Sequence, residues 1–278
     1  MTSYFQPPSG FGPGSQPDEG ENLDYVRMPS GMRTYSLVVP EIEGTDLGTM
    51  APALDLLARA AGACGVAAAR GEWASLPMTP LDAANRKLLA ETCGEGEVSC
   101  LIAGAGEIRI QESVFAGVWV VRSPEGDRIE VAPVARDVLR FAHTPLRPAM
   151  GLSAPRSDGL VNGPALVTEV LAKSAEAKPG VPVHVINLSL LPHSPEDLDY
   201  LDQAMGEGRV RLLSRGYGNC RVSATALPNV WRVQFFNSMD TLILDTIEIT
   251  PMPEVVMAAR EDFEDSAARL IEVLEVLK

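Results

Sequence analysis

Apolar residues recur along this chain with two periods, and the switch between them marks the elements. Leu54, Leu57 and Ala61, and later Leu166, Val170 and Leu171, are spaced three, four or five apart, which predicts helices with one buried stripe. The run from Val181 to Leu190 is extended in pattern. Thr79-Pro80 and Ser194-Pro195 each read as a hydroxyl N-cap followed by proline in the first helical turn. Asp82, and Glu196 with Asp197, then stand where the helix dipole favours acids. Gly94-Glu-Gly96 and Gly206-Glu-Gly208 end these helices. Short strands follow at 98–102, 108–114, 118–122 and 128–132, and again at 210–214, 220–226, 230–236 and 241–249. Their spacing and turn residues predict antiparallel neighbours. A short helix is predicted near 134–142, and a long one from Pro253 to the end. That last helix has Val255, Val256, Ala259, Phe263, Ala267, Leu270, Ile271 and Leu274 on one face, with Glu261, Asp262, Glu264 and Asp265 mostly opposite.

The order of elements occurs twice because the sequence does. At a shift of 112 residues, Pro52-Ala-Leu falls on Pro164-Ala-Leu, Gly104-x-Gly106 on Gly216-x-Gly218, Arg109 on Arg221, and Val118-Trp119 on Val230-Trp231. Between 94 and 121 there are 11 identities in 28 ungapped pairs. Leu76-Pro-x-Thr-Pro80 matches Leu191-Pro-x-Ser-Pro195 at a shift of 115, so a three-residue gap opens before that motif and closes inside the helix. The chain therefore reads as a tandem pseudo-repeat, roughly 46–143 and 158–278. The fold class expected is α+β, with two pseudo-symmetric repeats, each a small, mainly antiparallel sheet with flanking helices. Residues 1–24 are rich in Pro, Gly, Ser and acid and predict a disordered arm. The first lobe then runs over 25–143, a Pro- and Gly-rich linker over 144–160, and the second lobe over 161–278.

Composition narrows the partners. The 278 residues carry a formal net charge of −14, which disfavours nucleic acid and suits a basic partner. No uninterrupted apolar run is long enough for a bilayer, and the N-terminus lacks the pattern of a signal peptide, so a cytoplasmic protein without membrane insertion is expected. Cys64, Cys93, Cys100 and Cys220 are too few for a disulfide framework and read as reduced thiols.

The two copies also separate scaffold from specialisation. Residues that both share are assigned to the fold; Trp119 and Trp231 then read as buried packing residues. Some positions differ: Arg215 faces Ala103, Tyr217 faces Ala105, Asn219 faces Glu107, and Cys220 faces Ile108, while Asn237 and Asp240 face Glu125 and Arg128. The second copy thus carries a polar cluster around one thiol: Arg215, Tyr217, Asn219, Cys220, Arg221, Asn237 and Asp240. The flanking arginines would lower the Cys220 pKa and make it reactive. Alternatively, Cys220 starts a strand and packs as a small hydrophobe, as Ile108 does. Cys93 and Cys100 lack a standard ligand spacing, and His143, His184 and His193 fall in no paired motif, so no metal or cofactor is expected. The glycine pairs lack the further glycine and Lys-Ser/Thr of phosphate loops. The carboxylates at 261, 262, 264 and 265 read as a solvated helix face rather than a general-base pair.

The motif Arg215-Gly-Tyr-Gly-Asn-Cys-Arg221, Asn237-Ser238 followed by Asp240, and the run Glu261-Asp-Phe-x-Asp-Ser266 resemble the C-terminal region of the HupH/HyaF hydrogenase-expression family. The likeness is close over 185–278 and thinner over 25–145, where it rests on fragments such as Met28-Pro29. It implies a non-catalytic accessory protein or chaperone for maturation of a membrane-bound uptake [NiFe] hydrogenase. The partners it implies are the hydrogenase small-subunit precursor, before cluster completion and twin-arginine export, and a thioredoxin-like accessory protein. Two other classes stay open on the residues: a thiol- or metal-dependent enzyme centred on Cys220, assisted by Asp240 or Tyr217, and a pseudo-symmetric oligomerisation module.

Overall fold

All ten strands among the described residues join in one sheet. This is a computed structural model, and it describes residues 47–277 apart from Ala105 and Tyr217. The arm at 1–24 and the start of the first lobe up to 46 lie outside the described residues. The elements are α1 Ala51–Arg70, β1 Ala74–Pro77, α2 Ala83–Cys93, β2 Val98–Ile102, β3 Ile108–Glu112, β4 Val118–Arg122, β5 Arg128–Val131 and α3 Arg136–Phe141. Then come α4 Gly163–Glu176, β6 His184–Asn187, α5 Pro195–Met205, β7 Val210–Ser214, β8 Asn219–Ala224, β9 Val230–Phe236, β10 Leu242–Ile249 and α6 Arg260–Val276.

The sheet order is β1-β5-β4-β3-β2-β7-β8-β9-β10-β6, with every neighbouring pair antiparallel. The class is α+β, as predicted. The two small sheets of the sequence-based expectation are instead halves of one, because β2 hydrogen-bonds to β7. In that central pair Val98 lies opposite Ser214, and Cys100 lies opposite Leu212, the residue 112 positions later. Both strands bury Val and Leu or Cys on alternate positions. Each offers the other a matching edge, and pairing removes two exposed edges at once.

Two predicted helix starts move. Thr79-Pro80 does not begin α2. Asp82 caps it instead, accepting from the Asn85 N–H at 2.8 Å. The N-caps Asp82 and Ser194 are therefore 112 apart, and the three-residue gap inferred from Leu76-Pro and Leu191-Pro closes before the helix rather than within it. Ser194-Pro195 does start α5, with Ser194 Oγ accepting from the Asp197 N–H at 3.1 Å. The last helix starts at Arg260, not Pro253: the Ala258 N–H donates to the Pro133 carbonyl at 2.9 Å, holding the chain extended, and Asp262 then accepts from the Ala259 N–H at 2.6 Å. On α6 Phe263, Ser266, Leu270, Val273 and Leu274 are buried, while Ile271 and Ala259 are exposed.

The register assigns the two faces. On one face Val98, Cys100, Ile110, Trp119, Val121, Leu212, Cys220, Val222, Trp231 and Val233 form a core, closed by Val134, Ala135 and Val138 around α3 and by Met252 and Val256. Trp119 and Trp231 are both fully buried, as predicted, and each indole N–H donates to the residue just past the neighbouring strand: Ala132 O at 2.8 Å and Thr250 O at 3.1 Å. The other face carries Leu76, Ile129 and Val131 at one end, in register with Val118 and Val120. There α1 packs on β1 and β5, with α6 against α1. At the opposite end Ile186, Val230, Ile247 and Ile249 pack under α4 and α5. By length and composition alone, Gly48–Arg70 could cross a membrane, yet Ala53, Leu56, Leu57, Ala60, Ala61 and Cys64 are buried.

Gly96 and Gly208 show why glycine recurs at the helix ends. A Cβ at Gly96 would lie 2.2 Å from the Ser113 carbonyl oxygen, and one at Gly208 would lie 2.7 Å from that of Thr225. No side chain fits there. Residues 144–160 run along α5: Leu146 donates to Glu207 O at 2.8 Å and Met150 to Gln203 O at 3.2 Å. His143 anchors the start of this segment. Its Nδ1 lies 3.0 Å from Thr225 O, and its Nε2 accepts from the Asn229 N–H at 3.0 Å. That pattern sets a neutral ring protonated on Nδ1.

Candidate functional site

Strand alternation decides where the predicted site residues point. Cys220 on β8 lies opposite Ser214 and Phe235, is 3% exposed, and belongs to the core. Its neighbours Asn219 and Arg221 face the other way and are exposed. The expectation that flanking arginines depress the thiol pKa is overturned. Burial, with a smaller push from the Glu248 carboxylate, raises it to about 11. Such a thiol is protonated at neutral pH and unreactive. Burial pushes Cys64 and Cys93 up to about 12 and raises Cys100 as well.

The polar members of the predicted cluster gather around the β9–β10 turn. Asn237 Oδ1 accepts from the N–H groups of Met239 at 2.9 Å and Thr241 at 3.0 Å, and Asp240 sits in the left-handed region at φ 56°. Asn219 Nδ2 donates to Asp240 Oδ1 at 3.2 Å, tying that turn to the start of β8. The Arg221 guanidinium stands 5.1 Å from the Phe236 ring centre. Asn237, Asp240 and Asn219 thus shape a corner of the sheet. Arg215 stands apart: its N–H donates to Glu97 O at 3.1 Å, and it lines a small cleft with Glu95, Gly96, Glu97, Ser99 and Gln111. Tyr217 lies outside the described residues.

The acids of α6 are engaged locally. Asp262 holds the first turn, Glu264 is 3.5 Å from Arg260, and Asp265 is 3.1 Å from Arg269. Glu261 is exposed. They form a solvated helix face.

One concavity is a feature that sequence reasoning did not single out. It has a volume of about 980 Å³ and lies on the sheet face between the helix pair α1/α2 and the pair α4/α5. Its floor crosses six adjacent strands, with Ile129, Val120, Gln111, Ser99, Leu101, Leu213 and Arg221 contributed by β5, β4, β3, β2, β7 and β8. Leu89 and Arg86 of α2 form one wall. Leu101 and Leu213 are 38% and 44% exposed, large apolar side chains in the middle of a paired sheet.

Five arginines line this trough: Arg86, Arg109, Arg122, Arg211 and Arg221. Arg86 is committed to the fold through Asp127 at 2.9 Å and the carbonyls of Leu81 and Met78. Arg109 pairs with Glu107 at 2.6 Å, and Arg211 pairs with Glu207. Arg122 and Arg221 have no carboxylate partner among the described residues. Of the predicted residues only Arg221 reaches this surface. Arg109 and Leu213 were passed over because they match Arg221 and Leu101 at the 112-residue shift, and shared residues were assigned to the scaffold. The available signal was alternation: Ser99 and Leu101, Arg109 and Gln111, and Arg211 and Leu213 occupy the strand positions opposite the buried ones.

Comparison with known proteins places this geometry in a context. The model of the C-terminal conserved region of the HupH hydrogenase expression protein matches residues 52–133 and 160–277. The chain is 56% identical to the hydrogenase expression/formation protein HupH of Rhodobacter capsulatus over 100% of both chains. It is 45% identical to the hydrogenase expression/formation protein HoxQ of Cupriavidus necator over 99% of this chain and 98% of that one. With the hydrogenase-1 operon protein HyaF of Escherichia coli it shares 37% identity over 74% of each chain.

Proposed function

The chain belongs to the HupH hydrogenase expression family, and on that premise we propose that it is a cytoplasmic accessory protein of [NiFe] hydrogenase maturation, which binds the small-subunit precursor before cluster completion and twin-arginine export. The full-length identity to a hydrogenase expression/formation protein is the observation that carries this reading. Two features of the molecule support an accessory role over a thiol enzyme. The four cysteines lie in the interior with raised pKa values, so none offers a thiolate. The trough on the sheet carries exposed leucines and arginines, suited to holding a polypeptide. A thioredoxin-like accessory protein is the second partner we propose.

The test is capture from cells. Tagged protein is recovered from the cytoplasm of cells making the hydrogenase, and the co-purifying chains are identified by mass spectrometry. Enrichment of the small-subunit precursor with its export signal still attached is expected, and it should rise when export is blocked. Recovery of only the mature, signal-free subunit would refute binding before export.

A further inference from the structure

We propose that the trough over β3, β2, β7 and β8 is a docking site for a segment of a protein partner in which carboxylates flank large apolar side chains. This deepens the partner-binding reading above, and it rests on that reading only for who the partner is.

Three observations lead there. The first is charge. A protein of net charge −14 gathers five arginines against only Glu95 and Asp127 along one concavity. Arg122 and Arg221 have no carboxylate partner among the described residues, and Arg109 and Arg211 reach out from exposed rim pairs. Leaving cations without carboxylates on an otherwise acidic surface favours an incoming carboxylate through complementarity.

The second is the floor. Leu101 lies opposite both Arg109 and Arg211, and Leu213 lies opposite Arg221. Each exposed leucine therefore has a guanidinium beside it across the sheet. A segment that puts an apolar side chain on the leucine and an acid one or two positions away satisfies both.

The third is length. The four strands of the site, at about 4.8 Å spacing, make a floor about 14 Å across, which an extended segment of about four residues spans, and with β4 and β5 the trough reaches about 24 Å. That is longer than a small metabolite needs. The central strands are paired on both sides, so their backbone groups are already used. Recognition must come from side chains rather than from strand addition. A nucleic acid is disfavoured by the overall charge and by a floor of leucines in place of stacking aromatics.

The experiment titrates the full chain against a labelled peptide of alternating Glu and Leu and against its Lys-for-Glu counterpart, read by fluorescence anisotropy. The Glu peptide should bind at least about tenfold more tightly than the Lys peptide in low salt, and the gap should shrink as salt rises. Arg122→Glu/Arg221→Glu should abolish or reverse the preference. Leu213→Asp should weaken both peptides. All of these positions are at the surface, and circular dichroism melting verifies that the variants fold.

Equal affinity for the two peptides, or unchanged binding by both variants, overturns the proposal. So does preferential retention of a single-stranded oligonucleotide, or a parent dimer by light scattering that both variants dissolve. The same titration with small-subunit precursor separates the two readings. Precursor binding untouched by Arg122→Glu/Arg221→Glu sinks the trough and leaves the proposed function standing. Peptide binding as described, with no precursor binding at all, supports the trough and sinks the proposed function.

Discussion

Asp197→Asn should be among the most damaging single-atom-scale changes in this protein, although the residue touches no proposed partner. The Asp197 side chain is fully buried, and its carboxylate accepts from four backbone N–H groups: Val161 at 2.9 Å, Asn162 at 3.1 Å, Gly163 at 2.7 Å and Ser194 at 3.0 Å. It thereby closes its own helix, α5, and also caps the first turn of α4. Burial opposes its ionisation, but the N–H groups of Ser194, Gly163, Val161 and Asn162 outweigh this and hold its pKa at about 2, against an ordinary 3.8. A depression of nearly two units corresponds to about 2.5 kcal/mol of stability at neutral pH. Asparagine keeps the shape but turns an NH₂ toward two of the same donors, and one stranded N–H adds about 1 kcal/mol or more. The expected loss is about 3–4 kcal/mol at pH 7. The assay is urea denaturation of parent and variant at several pH values. Because the folded pKa is depressed, the carboxylate's contribution is complete above about pH 5 and is lost as pH falls toward 2. The parent–variant gap should therefore narrow over that window, since asparagine does not titrate. A loss under about 1 kcal/mol, or a gap constant from pH 5 to pH 3, would refute the shared-cap argument.

Trp231→Ala should cost about 3–5 kcal/mol, because the ring is fully buried and its N–H is paired with Thr250 O; in the parent, iodide should reach Trp73 and leave Trp119 and Trp231 unquenched. Cys220→Ser should preserve both the fold and hydrogenase maturation, and Cys220 in the parent should alkylate far more slowly than free cysteine below pH 9; rapid modification would contradict the buried placement. Glu261→Gln/Glu264→Gln/Asp265→Asn should slow association with the precursor at low salt while changing final affinity little, Asp262 being spared because it holds the α6 turn; identical, salt-independent rates would assign these acids to solubility.

Much of the architecture was legible in the linear pattern. All eight predicted strand segments lie within two residues of the observed ones, because alternation bounded by Gly, Pro and Asn is a local signal. The tryptophans announced their burial by recurring on matched strands. Ser194-Pro195 announced α5, whereas Thr79-Pro80 misled: the same dipeptide chemistry precedes α2 without starting it, since Asp82 is the stronger competitor for the free N–H groups. The long helix was begun seven residues early because nothing local in Pro253 to Ala259 reveals that Ala258 is held by the distant Pro133 carbonyl.

The candidate site divides the same way. The sequence by itself determined the class of fold and the family likeness, and it drew attention to the residues around 215–240. It could not determine which way each of them points. A thiol between two arginines in sequence is separated from them in space, because adjacent strand positions project to opposite faces, one into the core and one to solvent. Nor could it show that Arg109, Arg122, Arg211 and Arg221 share one surface, since that depends on β2 pairing with β7, between strands more than a hundred residues apart. Local periodicity is written in each segment's own residues. The pairing that joins two segments, and so creates a site across them, is decided only when the whole chain closes its sheet.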